Sequence, residues 1–490
     1  MPAVASAQDP QTWLIALVVV VAIGLRVVAF SPYDISHPDE LMQYLEQGNR
    51  LVTGHGLVPW EYRYGIRSWL IPQMLAAPLW LGHTLAPGTM LGMYLARVLF
   101  AALCALVLPA AWSLGALRSR RHALLALFVA GVWFESVIFG ELLLSESLAS
   151  GFLLLGGGLI LREGASTRSQ IIAGFLIALG AEARPQYVVF AAVLVVTAVR
   201  FDWRRYGPLV LGAVAALLIG VASDLAMQRI PFEWIVRNFQ LNIQAGRAAQ
   251  FGVSSPLTFV RLMLQELGPL AIPIAIGAIF AGARYRPLLF AALANVVVHS
   301  MIDHKEYRFV WVSTLVLLIL AAIASLDLVD RLIARRASIR PGLAIPLAMA
   351  AWLAADGLAL ASIAHLGPLR VGAPIPKLAG VAAQDPRICG IAMPEHWRGH
   401  VVTAMLPRFV PMGLIPQKIV RSKGPLPEGL MAGNNALLDV SRPINAGAYR
   451  EIECRPMGTI RACLYIRPGG CNAAAGLRYG YQMTLIKEDF

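Results

Sequence analysis

Eleven apolar runs follow one another through the first three quarters of the chain, and nothing else in the sequence constrains its fold as much. They lie near 12–30, 90–117, 122–139, 142–161, 169–183, 186–199, 207–227, 268–283, 287–302, 308–328 and 343–364. A helical crossing needs about 20 apolar residues, because lipid offers the backbone no hydrogen-bond partner and a helix satisfies its own groups. Several runs (169–183, 186–199, 268–283) are short for a full crossing. With 58% of residues hydrophobic and 14% charged, a soluble domain of ordinary composition is excluded. The expected class is an all-α polytopic membrane protein of about 11 transmembrane helices.

The formal net charge of +13 raises nucleic acid as a partner, but the arginines stand in short clusters between apolar runs instead of forming one basic face. They read as topology signals, and no nucleic-acid partner is expected. The clusters are Arg118/Arg120/Arg121, Arg162/Arg168, Arg200/Arg204/Arg205, Arg284/Arg286 and Arg331/Arg335/Arg336/Arg340. If the N-terminus is cytoplasmic and all eleven runs cross, every cluster falls on the cytoplasmic side, as the positive-inside rule requires. A twelfth run, 69–87, would throw them all outside; it contains Pro72 and Pro78 and is expected to be interfacial or re-entrant. The first 25 residues carry no Lys or Arg, and the first run ends without a small-residue cleavage motif, so it reads as an uncleaved span.

This topology sends the 31–89 loop, the run ends around 140–146 and 183–186, the 228–267 loop, the 299–307 turn and the 365–490 tail to the extracytoplasmic face. A transmembrane domain over 1–364 and a small α/β domain over 365–490 are expected. Four of the five cysteines, Cys389, Cys454, Cys463 and Cys471, sit in the tail and suggest an oxidising compartment. Three pairings are open, of which Cys463 with Cys471 is the more local. No metal spacing of the CxxC type and no phosphate-binding G-x-x-x-x-G-K-[ST] loop is present, so no metal or other cofactor is expected.

Unusual polar residues concentrate on the same outer face. Residues 37–40 read HPDE. Pro38 suits the first turn of a helix, Asp39 and Glu40 suit the positive end of its dipole, and Ser36 to Asp39 fits the capping-box spacing. The same carboxylates at a membrane boundary could instead supply a general base. Residues 60–69, WEYRYGIRSW, place Glu61, Arg63 and Arg67 among Trp60, Tyr62, Tyr64 and Trp69. They form either an interfacial belt with rim salt bridges or a surface for sugar rings and phosphate. Asp303, His304, Lys305, Glu306 and Arg308 crowd the start of the 308–328 run, an expensive cluster unless paired or functional. Glu141, Glu146 and Arg184 lie at other outer ends, acids there being commonly partners for a nearby arginine. The 223–256 loop reads as an amphipathic outer helix in which Asn238 and Asn242, four apart, share a face and could bind sugar hydroxyls or serve as caps and bridges.

Taken in order, HPDE, WEY with RSW, RP at 184–185, Asp224 with the later NF, and HKEYRF resemble the signature of glycosyltransferase family 22 over roughly residues 12–328. These are GT-C-type membrane mannosyltransferases that extend lipid-linked N-glycan precursors and the GPI anchor. The resemblance implies a GT-C-like fold and a transferase that takes a sugar, typically mannose, from a polyprenyl-phosphate-linked donor on the extracytoplasmic face. It implies Asp39 as base with Glu40 adjacent. His304, Lys305, Arg308 and Arg184 are then candidates for the donor phosphate, and His37, Trp60, Glu61, Tyr62, Arg67, Asn238, Asn242 and Glu306 for other substrate contacts. Two departures stand out: Glu146 where the family has Asn, and Ala149 where it has Glu.

A phosphodiester-linked sugar already carries a good leaving group, so one base suffices and inversion is expected. The expected partners are the polyprenyl-phosphate donor, a glycan or glycolipid acceptor and membrane lipid, in a bacterial-type inner (plasma) membrane. The competing class, a transporter or flippase of a lipid-linked glycan, would place ionisable residues near span centres and show two related halves. Neither feature is visible in the sequence.

Overall fold

The computed structural model describes residues 12–335, 340–363, 372–422, 424–440 and 448–488. Arg336 of the last basic cluster, and the boundary expected at 364–365 on its C-terminal side, lie outside the described residues. The chain forms two compact units that do not follow chain order: Met1–Phe30 with Ala101–Gly367, and Ser31–Phe100 with Pro368–Phe490.

In the first unit, helices stand at the positions of the apolar runs. By length and composition, six helical stretches among the described residues can cross a membrane: Thr12–Ala29, Leu91–Ala116, Trp203–Ala226, Thr258–Ile279, Tyr307–Ala334 and Ala344–Ile363. Ser145–Ile160 and Pro185–Val199 are shorter apolar helices. The run expected at 268–283 begins ten residues early, because an amphipathic helix, Thr258–Leu267, precedes it and joins it at Gly268 and Pro269. The most buried of these six stretches, Tyr307–Ala334, contains the helix Trp311–Ala334, whose acids Asp327 and Asp330 pair with Arg118 and Arg121 at 2.8 and 2.9 Å.

The 122–139 run breaks at Trp133 into Arg120–Val132 and Phe134–Phe139. A break strands helix-end carbonyls that lipid cannot satisfy. Arg26, buried in the first span, donates to the carbonyls of Gly131 at 3.0 Å and of Ala130 and Ser136 at 3.2 Å. The one arginine of the first span thus closes the break.

The second unit joins the 31–100 segment to a five-stranded sheet. Strands β1 (Ile391–Pro394), β2 (Met412–Ile415), β3 (Ala436–Val440), β4 (Arg450–Met457) and β5 (Ile460–Ile466) run in the order β2-β1-β3-β5-β4. The first two pairings are parallel and the last two antiparallel. Ala392, Ile415, Leu437, Cys463 and Tyr465 contribute to its core. The expected α/β character is present. The local cysteine pairing is not: Cys454 bonds Cys463, its register partner across β4 and β5, and Cys389 bonds Cys471. A hairpin that sets two cysteines opposite each other overrides proximity in sequence.

The helix Leu70–Leu85, the extra run that contains Pro78, packs against the helix Glu46–Thr53. Gly48 permits the approach, since a Cβ there would meet the Pro72 carbonyl at 3.0 Å. Glu46 is fully buried and accepts hydrogen bonds from the Leu57 N–H (2.7 Å), the Thr403 hydroxyl (2.7 Å) and the Ala404 N–H (2.9 Å). Its carboxylate therefore fastens the early loop to residues of the tail.

Candidate functional site

The candidate residues fall into two clusters, one in each unit. In the second unit, Leu41 and Met42 N–H groups donate to the Pro38 carbonyl, so the chain turns helical at Pro38, as its fixed φ favours. A π-helix, Glu40–Leu45, follows at once. Such wide turns are rare and concentrate at functional sites.

The expected capping box closes on a different residue. Glu40 Oε1, not Asp39, accepts the N–H groups of Ser36 at 2.9 Å and His37 at 3.1 Å. Because Glu40 folds back in this way, its side chain is 0% exposed, whereas that of Asp39 keeps 19% exposure. The Asp39 N–H donates to His37 Nδ1 at 3.2 Å, and the two side chains lie 3.5 Å apart. The carboxylates are adjacent in sequence and unequal in access.

The WEYR helix, Trp60–Arg63, supplies the next layer. Glu61 is buried; its Oε1 accepts from Gln43 Nε2 at 2.7 Å and lies 3.9 Å from Arg67. Burial raises the Glu61 carboxyl above the usual range and the Asp39 charge adds to this, against the pull of Arg67. Burial acts to lower the Arg67 guanidinium, but Tyr44, Glu61 and Asp39 outweigh it and leave it raised. Asp39, Glu61 and Arg67 thus share one electrostatic neighbourhood. The Tyr62 hydroxyl donates to the Gln43 carbonyl at 2.7 Å, and its ring meets Trp69 edge to face at 4.7 Å. Trp60 and Tyr62 are buried, so they brace this layer more than they present a surface.

In the first unit, Glu146 is the centre. It is fully buried at the start of Ser145–Ile160, and its Oε1 faces Arg184 Nη2 at 3.1 Å and Arg308 Nη1 at 3.5 Å. The two guanidinium groups lie 5.1 and 5.2 Å from the ring centre of Phe309. Glu306 then takes Arg308 Nε at 2.5 Å and His304 Nε2 at 2.7 Å. Lys305 Nζ donates to the carbonyls of Ser254 at 3.0 Å and Ile302 at 2.5 Å, and the Ser254 N–H returns a bond to the Asp303 carbonyl. His304, Lys305, Glu306, Arg308 and Arg184 are therefore brought together. Asn238, in the helix Glu233–Phe239, and Asn242, in the π-helical turn Gln240–Gln244, stand on the preceding loop, each half-buried.

Residues with no role in the sequence motifs complete the cluster of the second unit. Arg97 pairs with Glu40 at 3.2 Å, both side chains buried. A lone arginine inside an apolar run was its signal. Pro38 packs on Gly399 and the Asp34 carboxylate accepts from the Ala373 N–H at 3.1 Å; the tail offered no signal for either.

Residues 15–363 match the profile of the Alg9-like mannosyltransferase family. A GPI mannosyltransferase 3 of Yarrowia lipolytica is 26% identical over 312 residues, 60% of this chain and 59% of that one. The human GPI alpha-1,2-mannosyltransferase 3 is 22% identical over 56% of this chain and 51% of its own. A GPI mannosyltransferase 3 of Trypanosoma brucei brucei is 34% identical over 105 residues, 21% of this chain and 18% of that one. The matches thus span less than two thirds of each relative. Among solved structures, ArnT from Cupriavidus metallidurans in the apo state has a TM-score of 0.58 at 15% identity, over 95% of this chain and 99% of that one. The same protein bound to undecaprenyl phosphate gives 0.57 at 13% identity, over 93% and 98%. At these identities the likeness is one of fold.

Proposed function

The chain belongs to the Alg9-like mannosyltransferase family, and from that premise we propose that it is a membrane glycosyltransferase working on the extracytoplasmic face of a plasma membrane. It moves mannose from a polyprenyl-phosphate-linked donor to a lipid-linked or envelope glycan, with inversion. The polyprenyl phosphate held by a protein of the same fold supports this class of donor. GPI mannosyltransferases among the relatives support the sugar and a glycolipid acceptor.

One observation carries the assignment of roles: of the two adjacent carboxylates, Asp39 is accessible and Glu40 is sealed. Asp39 is the general base. It takes the proton of the acceptor hydroxyl as that oxygen attacks the anomeric carbon, and the bond to the phosphate oxygen breaks on the opposite face. Glu40, committed to the Ser36 and His37 N–H groups, holds the turn and does not exchange protons with substrate.

The lipid phosphate leaves with negative charge, which cationic donors stabilise. Arg184, Arg308 and Lys305 fill that role, with His304 oriented by Glu306 beside them. Glu146 and Glu306 balance the two arginines before the phosphate arrives, so the phosphate competes with carboxylates already in place. His37 and Arg67 lie beside Asp39 and suit the incoming glycan. Asn238 and Asn242, both half-buried, and the buried Glu61 are further substrate contacts.

Purified protein incubated with radiolabelled polyprenyl-phosphate mannose and a panel of glycolipid acceptors tests the reading. Acceptor-dependent consumption of donor and a mannosylated product are expected. Movement of lipid-linked glycan across a vesicle bilayer with no donor consumed would replace the enzyme by a transporter.

A further inference from the structure

A charged side chain in an apolar span is rare and persists where it is paired. The segment LGMYLARVLFAALC, residues 91–104, carries one such charge, Arg97. Its side chain is 3% exposed, and its Nη1 donates at 3.2 Å to Oε2 of the fully buried Glu40. The other oxygen of that carboxylate accepts the Ser36 and His37 N–H groups. Glu40 therefore has one oxygen on the turn that precedes Asp39 and one on the helix Leu91–Cys104.

The geometry points to Arg97 as a positioning residue for the transfer, acting on Asp39 through Glu40; this rests on the reading of Asp39 as the base. Arg97 compensates the Glu40 charge in a dry environment, where an uncompensated carboxylate takes up a proton or turns toward water. Either response loosens the Ser36 and His37 hydrogen bonds. Asp39 sits between the two anchored points, at the end of the turn and the start of the π-helix, so its carboxylate moves with them. Displacement of a reacting group by about 1 Å costs on the order of a hundredfold in rate, with little change in substrate affinity.

The test compares kcat, KM for donor and melting temperature in four variants. Arg97→Gln is expected to lower kcat by about a hundredfold and leave KM within about twofold. The double variant Arg97→Gln/Glu40→Gln is expected to regain at least about tenfold of that loss. In it, the amide oxygen at position 40 still accepts from Ser36 and His37, while its NH2 donates to the carboxamide at 97. A residue needed only for folding would move the melting temperature and the yield of active protein, not kcat per folded molecule, and charge removal in pairs would not rescue turnover. Arg97→Lys keeps the cation with a shorter reach and stands in if Arg97→Gln does not fold; a kcat reduced about tenfold at unchanged KM is expected. Wild-type kcat in the folded Arg97 variants, or a double variant no faster than the single, overturns the inference while Asp39→Asn remains inactive. Turnover by Asp39→Asn overturns the base assignment itself.

Discussion

Gly399 lies so close to Pro38 that a Cβ at 399 would fall 2.6 Å from the proline Cγ. The residue that starts the HPDE helix is thus packed on a glycine far along the tail, and a proline ring cannot swing aside. Gly399→Ala is expected to cost about 1–3 kcal/mol of stability and to reduce kcat by displacing the turn. Gly380→Ala is the control: nothing lies within 4 Å of a Cβ there, and the residue is inside the helix Pro374–Gln384. Its melting temperature should be unchanged or higher, by about 0.5–1 kcal/mol of stability. Equal behaviour of the two variants would refute the packing argument.

Glu146 holds Arg184 and Arg308 where the resembled family has Asn. Glu146→Asn should release both guanidinium groups toward a phosphate. Stability is expected to fall by about 3–5 kcal/mol, because a buried pair is broken. Inhibition by free polyprenyl phosphate is expected to tighten about tenfold, equivalent to about 1.4 kcal/mol. Inhibition assays against melting curves check both; weaker inhibition would show that Glu146 helps to build the site.

The raised carboxyl of Glu61 predicts a pH effect whose sign is fixed by linkage. Burial is the main cause, with the Asp39 charge second. A carboxyl raised in the folded state contributes stability below its unfolded value of about 4.3 and loses that contribution as pH climbs through the raised value. The melting temperature of the wild type should therefore decline as pH rises above about 4.3 more steeply than that of Glu61→Gln, in which the Gln43 hydrogen bond survives. Parallel slopes would mean that Glu61 titrates in the ordinary range.

The fold was legible wherever it is made of apolar runs, because lipid leaves the backbone a single local solution. HPDE, WEYR and HKEYRF were legible as clusters because their residues are contiguous. Their wiring was not. Glu40 looks like a twin of Asp39 until Arg97, 57 residues away, is placed against it. Glu46 meets Thr403 across 357 residues, and no local pattern encodes that bond. The cysteines failed for the same reason, since the β4–β5 register, not spacing, decides that Cys454 bonds Cys463. Arg97 and Arg26 were both visible as lone charges in apolar runs. What each compensates, a sealed carboxylate in one case and stranded carbonyls in the other, is a matter of tertiary packing.

The most direct measurement is single-turnover mannose transfer by Asp39→Asn beside binding of the polyprenyl-phosphate donor to the same protein. Asn matches Asp in shape but cannot accept the proton of the acceptor hydroxyl. Transfer is expected to fall by at least about a thousandfold, while donor binding and melting temperature stay at wild-type values. Transfer within a few fold of wild type in that variant would contradict the assignment of Asp39 as the base.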